Sequence, residues 1–191
     1  MDETTTLRLI DAGESQEVEF KSVLPSKVSS LAKEIAAFAT SNHGFVIVGV
    51  ADDKAILGME LANSEKGRKN LIGRVEGICQ SLIEPTVAFK VHFSTVRGKN
   101  LMIIEVEKGS EPLYYADGRA YLRQNSMSRV AKHDEIRNLL YRDEFMRRLE
   151  ALEARSVAEQ TTAPAIAGQG ELATMNLVEL LDRMGIRGPQ I

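Results

Sequence analysis

Apolar and polar positions along the chain change period several times, and each change marks an element. Val18 and Phe20 alternate with Glu17, Glu19 and Lys21, the period of two of a strand with one polar face. Val28, Leu31, Ala32, Ile35, Phe38 and Ala39 then recur at helical spacing, with Pro25 ahead of them and Asn42 to Gly44 behind as a C-cap. That pattern predicts a core-facing helix. From Phe45 to Val50 the chain is continuously apolar and stops at Ala51-Asp52-Asp53, as a central strand covered on both faces would. A second helix is expected between Ser64 and Ile83, turning Leu71, Val75, Ile78, Cys79 and Leu82 inward until Pro85 stops it. The alternating TVAFKVHF and the apolar Leu101 to Val106, joined through Arg97-Gly98-Lys99-Asn100, read as a hairpin. Asp117-Gly118 marks a turn before the strand AYLRQ, and a long, highly charged helix follows from about residue 133. Met1 to Gly13, which contains LRLIDAG, reads as a turn or a short strand.

These elements give the α+β (mixed α/β) class: a single mixed-sheet domain with flanking helices over residues 1–160, ending in the long charged helix. Residues 161–170, TTAPAIAGQG, are small, polar and proline-containing, which suggests a flexible linker. In 171–191, Leu172, Met175, Leu177, Leu180, Leu181 and Met184 line one side of a short amphipathic helix. A helix of that length is marginal alone, so it docks onto the domain or binds a partner.

Composition narrows the function class. With 191 residues and 43% hydrophobic residues, the chain supports one core of roughly 100–150 residues plus an extension. The lone Cys79 leaves no disulfide framework or cysteine-rich zinc site and fits a reducing compartment. No signal peptide or apolar run of about 18 residues stands out, which points to a cytoplasmic protein without a membrane partner. The net charge of −3 counts against a DNA-coating role, so any nucleic-acid contact must come from a local patch.

Chemistry concentrates at the two ends of the first strand–helix–strand unit. Glu14, Glu17 and Glu19 precede or lie on the first strand, and Asp52 and Asp53 follow the central one. Two carboxylates roughly 4 Å apart repel by about 4 kcal/mol at an effective dielectric near ~20, so a cluster needs a cation, a shared proton or basic neighbours. Oxygen ligands of this kind suit Mg²⁺ or Mn²⁺, and Lys21 could neutralise the cluster or contact a phosphate. On a regular strand Glu14 and Glu19 point to opposite faces, so their convergence needs a turn between them. Arg123, Ser126, Ser128, Arg129 and Lys132 form a basic, hydroxylated loop suited to phosphate contacts, or to helix capping by its serines. Lys66, Arg68, Lys69 and Arg74 cluster on the second helix, as a basic track or a solvated face. His43 is placed as a helix C-terminal cap, and His92 and His133 as surface residues. No G-x-x-x-x-G-K-[ST] loop occurs, so an ATP site of that type is not expected.

From Glu14 to about Leu140 the chain resembles the Schlafen-type AlbA-like domain, once described as divergent AAA. The resemblance is carried by Glu14 with VEFK at Val18 to Lys21, the AFA–GFVIVGV–DD block at Ala37 to Asp53, Ile56-Leu57-Gly58 and the Pro85 segment. The strand LMIIEV, Pro112 and YLRQNSMSRVAKHDEI at Tyr121 to Ile136 complete it. Domains of this type are associated with nucleic-acid binding, and some with RNA cleavage. In the nucleolytic members, what the resemblance implies is a three-carboxylate metal site, which falls here on Glu14, Glu19 and Asp52 with Lys21 beside them. The implied function is nucleic-acid binding, with divalent-metal-dependent endonuclease action on tRNA-like RNA or single-stranded DNA as the catalytic form. The alternative is a non-catalytic binding or assembly module. A homo-oligomer or a protein partner, joined through the 133–160 helix and the C-terminal segment, and a setting in defence against foreign nucleic acid accompany these readings. This chain departs from the usual pattern at Thr40-Ser41, at His43-Gly44, and at Asn125, where a glycine is customary.

Overall fold

In the computed structural model, which describes residues 1–162 with side chains through Arg155, the alternation before Pro25 becomes β1 (Val18–Lys21). The amphipathic run becomes α2 (Val28–Ser41), and the apolar run β2 (Gly44–Val48). β1 and β2 pair in parallel, Val18 opposite Phe45, so α2 is the crossover of a β–α–β unit. The predicted hairpin forms β4 (Phe89–Val96) and β5 (Lys99–Val106), and β5 joins β2 antiparallel to give a four-stranded sheet in the order β1-β2-β5-β4.

Both faces of this sheet are covered. Val46 and Val48 of β2 and Met102 and Ile104 of β5 face a core with Leu31, Ile35 and Phe38 of α2 and Leu71 and Val75 of α3 (Glu65–Leu82). Ile47, Leu101 and Ile103 face the other way, onto Val18, Phe20 and Ile10. Alternate residues of one apolar run thus serve two cores, which is why no polar position interrupts it.

Ile10 belongs to α1 (Glu3–Ala12), so the N-terminus is a helix where the pattern alone suggests a turn or strand. Asp2 caps it, accepting from the Thr5 N–H at 2.7 Å, and Gly13 ends it at φ 84°. Only Thr6 and Ile10 are buried, one turn apart, and Thr6 donates to Ser94 at 3.0 Å. Two inward positions are too few to read as a period.

The mixed α/β class holds, but the strands divide into two four-stranded sheets where the pattern suggests one. The second has the order β3-β6-β7-β8, from β3 (Ile83–Glu84), β6 (Tyr115–Ala116), β7 (Arg119–Gln124) and β8 (Met127–Val130). Two-residue strands leave no periodicity to detect. The basic loop of the sequence reading is the β7–β8 hairpin, and Asn125 takes φ 54° in its turn, a conformation asparagine tolerates in place of glycine.

The charged segment forms α4 (His133–Thr162), with Ile136 and Leu139 packed on the cluster of Leu113, Ala120 and Ala131. Thr161 and Thr162, assigned to the linker, continue this helix; the rest of the linker and the 171–191 helix lie outside the described residues. The chain divides into a unit Met1–Met146 and a second beginning at Arg147.

Candidate nucleic-acid interface and the buried arginine beneath it

One face of β7 lies along α2. Arg119, Tyr121 and Arg123 alternate onto that face, and burial rises along it from exposed Arg119 through half-buried Tyr121 to buried Arg123. Two hydroxyls hold the seam together. Ser41 accepts from the Arg123 N–H at 2.9 Å, and Thr40 accepts from the Tyr114 N–H at 2.9 Å while donating to the Ala36 carbonyl. The Thr40-Ser41 pair therefore fastens the second sheet to α2.

At the closed end, Arg123 is fully enclosed and every arm of its guanidinium is used. Nη1 donates to Glu19 Oε2 at 2.8 Å, to Glu34 Oε2 at 3.2 Å and to Ser128 Oγ at 3.2 Å. Nη2 donates to the Ser15 and Val18 carbonyls, each at 2.9 Å, and Nε to Ser15 at 3.2 Å. The Phe38 ring lies beneath the guanidinium, its centroid 4.8 Å away. A planar, always-charged fork is the side chain that can satisfy carboxylates and carbonyls from both directions at once. Lys21 and Lys33 complete the balance from the rim, Lys21 on Glu19 and Lys33 on Glu34 Oε1 at 3.2 Å. Ser128 also donates to Glu34.

Glu34 was absent from the sequence-derived site. Its signal was available: an acid inside the run SLAKEIAAFAT, between Leu31, Ile35 and Phe38, is buried and so demands a cation.

The remaining site residues scatter. A turn between Glu14 and Glu19 exists, closed by Ser15 N–H to the Val18 carbonyl at 2.9 Å, and Glu14 accepts from the Phe20 N–H at 3.0 Å. Asp52 is exposed in the turn after β2, where Asp53 accepts from the Ala55 N–H at 3.0 Å. Among the described residues, no three His, Cys, Asp or Glu side chains are grouped to hold a metal ion. The three acids therefore do not fit a metal as they are folded here, since Glu19 is engaged by Arg123 and Lys21 and Glu14 by backbone.

Of the basic hairpin, Arg129 forms a two-pronged pair with Glu135 at 2.6 and 2.7 Å. That contact holds the Glu135 carboxyl down at about 2. Lys132 donates its N–H to Glu135, and Ser126 sits half-buried in the turn. His43 and His92 both meet Glu105, at 3.2 and 2.7 Å, and these contacts lower the Glu105 carboxyl, His92 most. Arg68 lies over the Phe93 ring at 5.2 Å and donates to the Ala62 carbonyl, whereas Lys69 pairs with Glu65.

The open end of the α2–β7 seam is a groove of about 450 Å³ lined by Lys27, Ser29, Ser30, Lys33, Arg119 and Tyr121. Asp117 is the one acid on its wall. Lys27 caps α2 without a side-chain hydrogen bond. None of Lys27, Lys33, Arg119 or Tyr121 entered the sequence-derived site, because they come from two elements far apart in the chain.

The family model described as Schlafen, AlbA_2 matches residues 14–132. The chain belongs to the Schlafen, AlbA_2 family. The matched span runs from Glu14 to Lys132 and so encloses both ends of the α2–β7 seam. No curated protein matches this chain. Among solved structures it is similar to the DIP2311 protein of Corynebacterium diphtheriae, at 23% identity and a TM-score of 0.45. That match covers 61% of this chain, which spans only 22% of the other's length. It is also similar to the N-terminal domain of a RecG-related protein from Nitrosomonas europaea, at 20% identity and a TM-score of 0.41, covering 66% of this chain and 94% of that one. Among the described residues no helix is long and apolar enough to cross a membrane.

Proposed function

We propose that this Schlafen, AlbA_2 chain is a nucleic-acid-binding module that takes phosphates in the groove at the open end of the α2–β7 seam. The observation that carries the reading is the convergence of Lys27, Lys33 and Arg119 on one groove in a chain of net charge −3. Cations gathered against an acidic average are what local phosphate binding requires. Arg123 acts beneath them, fixing the two walls of the groove.

The test is fluorescence anisotropy with labelled RNA and DNA at low salt. Lys27→Gln, Lys33→Gln and Arg119→Gln together should weaken binding and flatten the salt dependence, removing roughly 2–3 from the slope of log K against log salt. Binding unchanged in that variant, or absent in the parent, overturns the reading.

Endonuclease action through Glu14, Glu19 and Asp52 with Mg²⁺ or Mn²⁺ would need Arg123 and Lys21 to yield Glu19. Saturable Mn²⁺ binding lost in Glu14→Gln would favour it; the geometry favours binding. Exposed Leu140, Tyr141 and Phe145 on α4 suit contact with a second copy or a protein partner. Sedimentation of the parent against Tyr141→Glu, Phe145→Glu tests that contact.

A further inference from the structure

The two edges of the first sheet are unequal. β1 is four residues long, and the Arg123 guanidinium takes its Val18 carbonyl. β4, at the other edge, is eight residues long, contains no proline and, among the described residues, pairs with β5 alone. The Glu107 N–H donates to the Ala88 carbonyl at 3.3 Å, which makes Ala88 and Glu107 a hydrogen-bonded pair of the ladder. By the alternation of antiparallel strands, Lys90, His92, Ser94 and Val96 then turn their backbone groups toward β5. Phe89, Val91, Phe93 and Thr95 turn theirs outward. Such a row is a template for another strand unless charge or proline blocks it. Here the two basic side chains are already matched from β5, Lys90 by Glu107 at 2.7 Å and His92 by Glu105 at 2.7 Å.

The strand also reads the same in both directions about Val91. Phe89 and Phe93 are identical, Lys90 and His92 are both basic, and Ala88 and Ser94 are both small. Phe89, Val91 and Phe93 are half-buried against the core that holds α2 and α3, and by the pleat Lys90 and His92 lie on the opposite face. A two-fold contact joins a surface to itself, so it requires a pattern that survives reversal.

We propose that the occupant of this edge is β4 of a second copy of the chain, antiparallel, with the two-fold axis at Val91. Val91 then faces Val91 of the second copy and Phe89 faces its Phe93, each pair exchanging both backbone hydrogen bonds and extending one apolar row across the contact. Lys90 faces His92 of the second copy, each beside its own carboxylate, so no uncompensated charge meets another. Two four-stranded sheets become one continuous sheet. The contact uses neither the cationic groove nor α4, and it stands independently of the nucleic-acid reading.

Sedimentation velocity of the full chain should show a dimer. Val91→Lys and Val91→Glu each set like charges against one another at the axis and should sediment as monomers, and mixing the two in equal amounts should restore the dimer. The register is tested by disulfide formation. Two copies of Val91→Cys place their Cα atoms about 5.5 Å apart, within disulfide reach, so mild oxidation should link the chains. Two copies of Thr95→Cys, at a more exposed position, lie roughly 27 Å apart and should stay unlinked. Cys79 is buried and supplies no link. A dimer that persists in Val91→Lys, or Thr95→Cys linking as fast as Val91→Cys, overturns the proposal. So does a dimer abolished only by Tyr141→Glu, Phe145→Glu, which assigns the contact to α4. A monomeric parent also overturns it, and slow hydrogen exchange of the Val91 and Phe93 amides in that monomer assigns the edge to a segment of the same chain.

Discussion

Removing the Arg123 guanidinium while keeping its volume, as in Arg123→Met, tests the buried node directly. Glu19 and Glu34 would be left with side chains 9% and 3% exposed and no buried cation between them. The Ser15 and Val18 carbonyls would lose the guanidinium N–H groups as well, the Val18 carbonyl keeping the Ser15 N–H. Breaking a buried ion pair by deleting one partner typically costs about 3–5 kcal/mol, against a total stability of roughly 5–15 kcal/mol. For a chain of this size each kcal/mol lowers Tm by roughly 2–4 °C, so a drop on the order of 10 °C is expected. Urea unfolding followed by circular dichroism measures the loss as a lower midpoint at unchanged slope. Adding Glu19→Gln and Glu34→Gln to Arg123→Met removes the stranded charges and should restore at least about half of the loss, because an uncompensated carboxylate costs more than an amide. A cost for Arg123→Met below about 1 kcal/mol, or a triple variant no more stable than the single one, would refute the reasoning.

Three further outcomes are expected. Arg129 holds Glu135 at about 2, below its ordinary 4.5, so the pair's contribution is present above 4.5 and is lost as pH falls through the folded value. The stability gap between the parent and Arg129→Gln should therefore close toward pH ~2; a gap constant across that range contradicts the pairing. Burial, and secondarily the charge of Glu76, pushes the Cys79 thiol up to about 12, so thiol reagents should label native protein far more slowly than urea-unfolded protein. Equal labelling rates would show that the side chain is open to solvent. In Gly44→Ala the new Cβ would stand 2.1 Å from the buried Phe38 ring that underlies Arg123, with an expected cost of about 1–3 kcal/mol in the same unfolding assay. A neutral result would mean that the ring can move aside.

What the sequence determined by itself was the set of elements with strong periods. The α2 and α3 stripes, the β2 run and the β4–β5 hairpin bury so much apolar surface in regular order that local pattern and tertiary structure agree. The family was also legible, since VEFK, GFVIVGV and YLRQNSMSRV carry the resemblance even with Asn125 where a glycine is customary. The N-terminal helix was not, because only Thr6 and Ile10 turn inward, and of the second sheet only β7 was legible, since β3 and β6 are too short to have a period. The roles of the charged residues were decided by tertiary structure alone. Residue type suits Arg123 to phosphate contacts, and the resemblance implies a metal-ligand role for Glu19; folding puts them 2.8 Å apart in the interior with Glu34, where each satisfies the other. The same packing of α2 against β7 brings Lys27 and Lys33 to Arg119 across the chain. Charge has no period, so its purpose is set by which charges the fold buries together and which it leaves to meet a ligand.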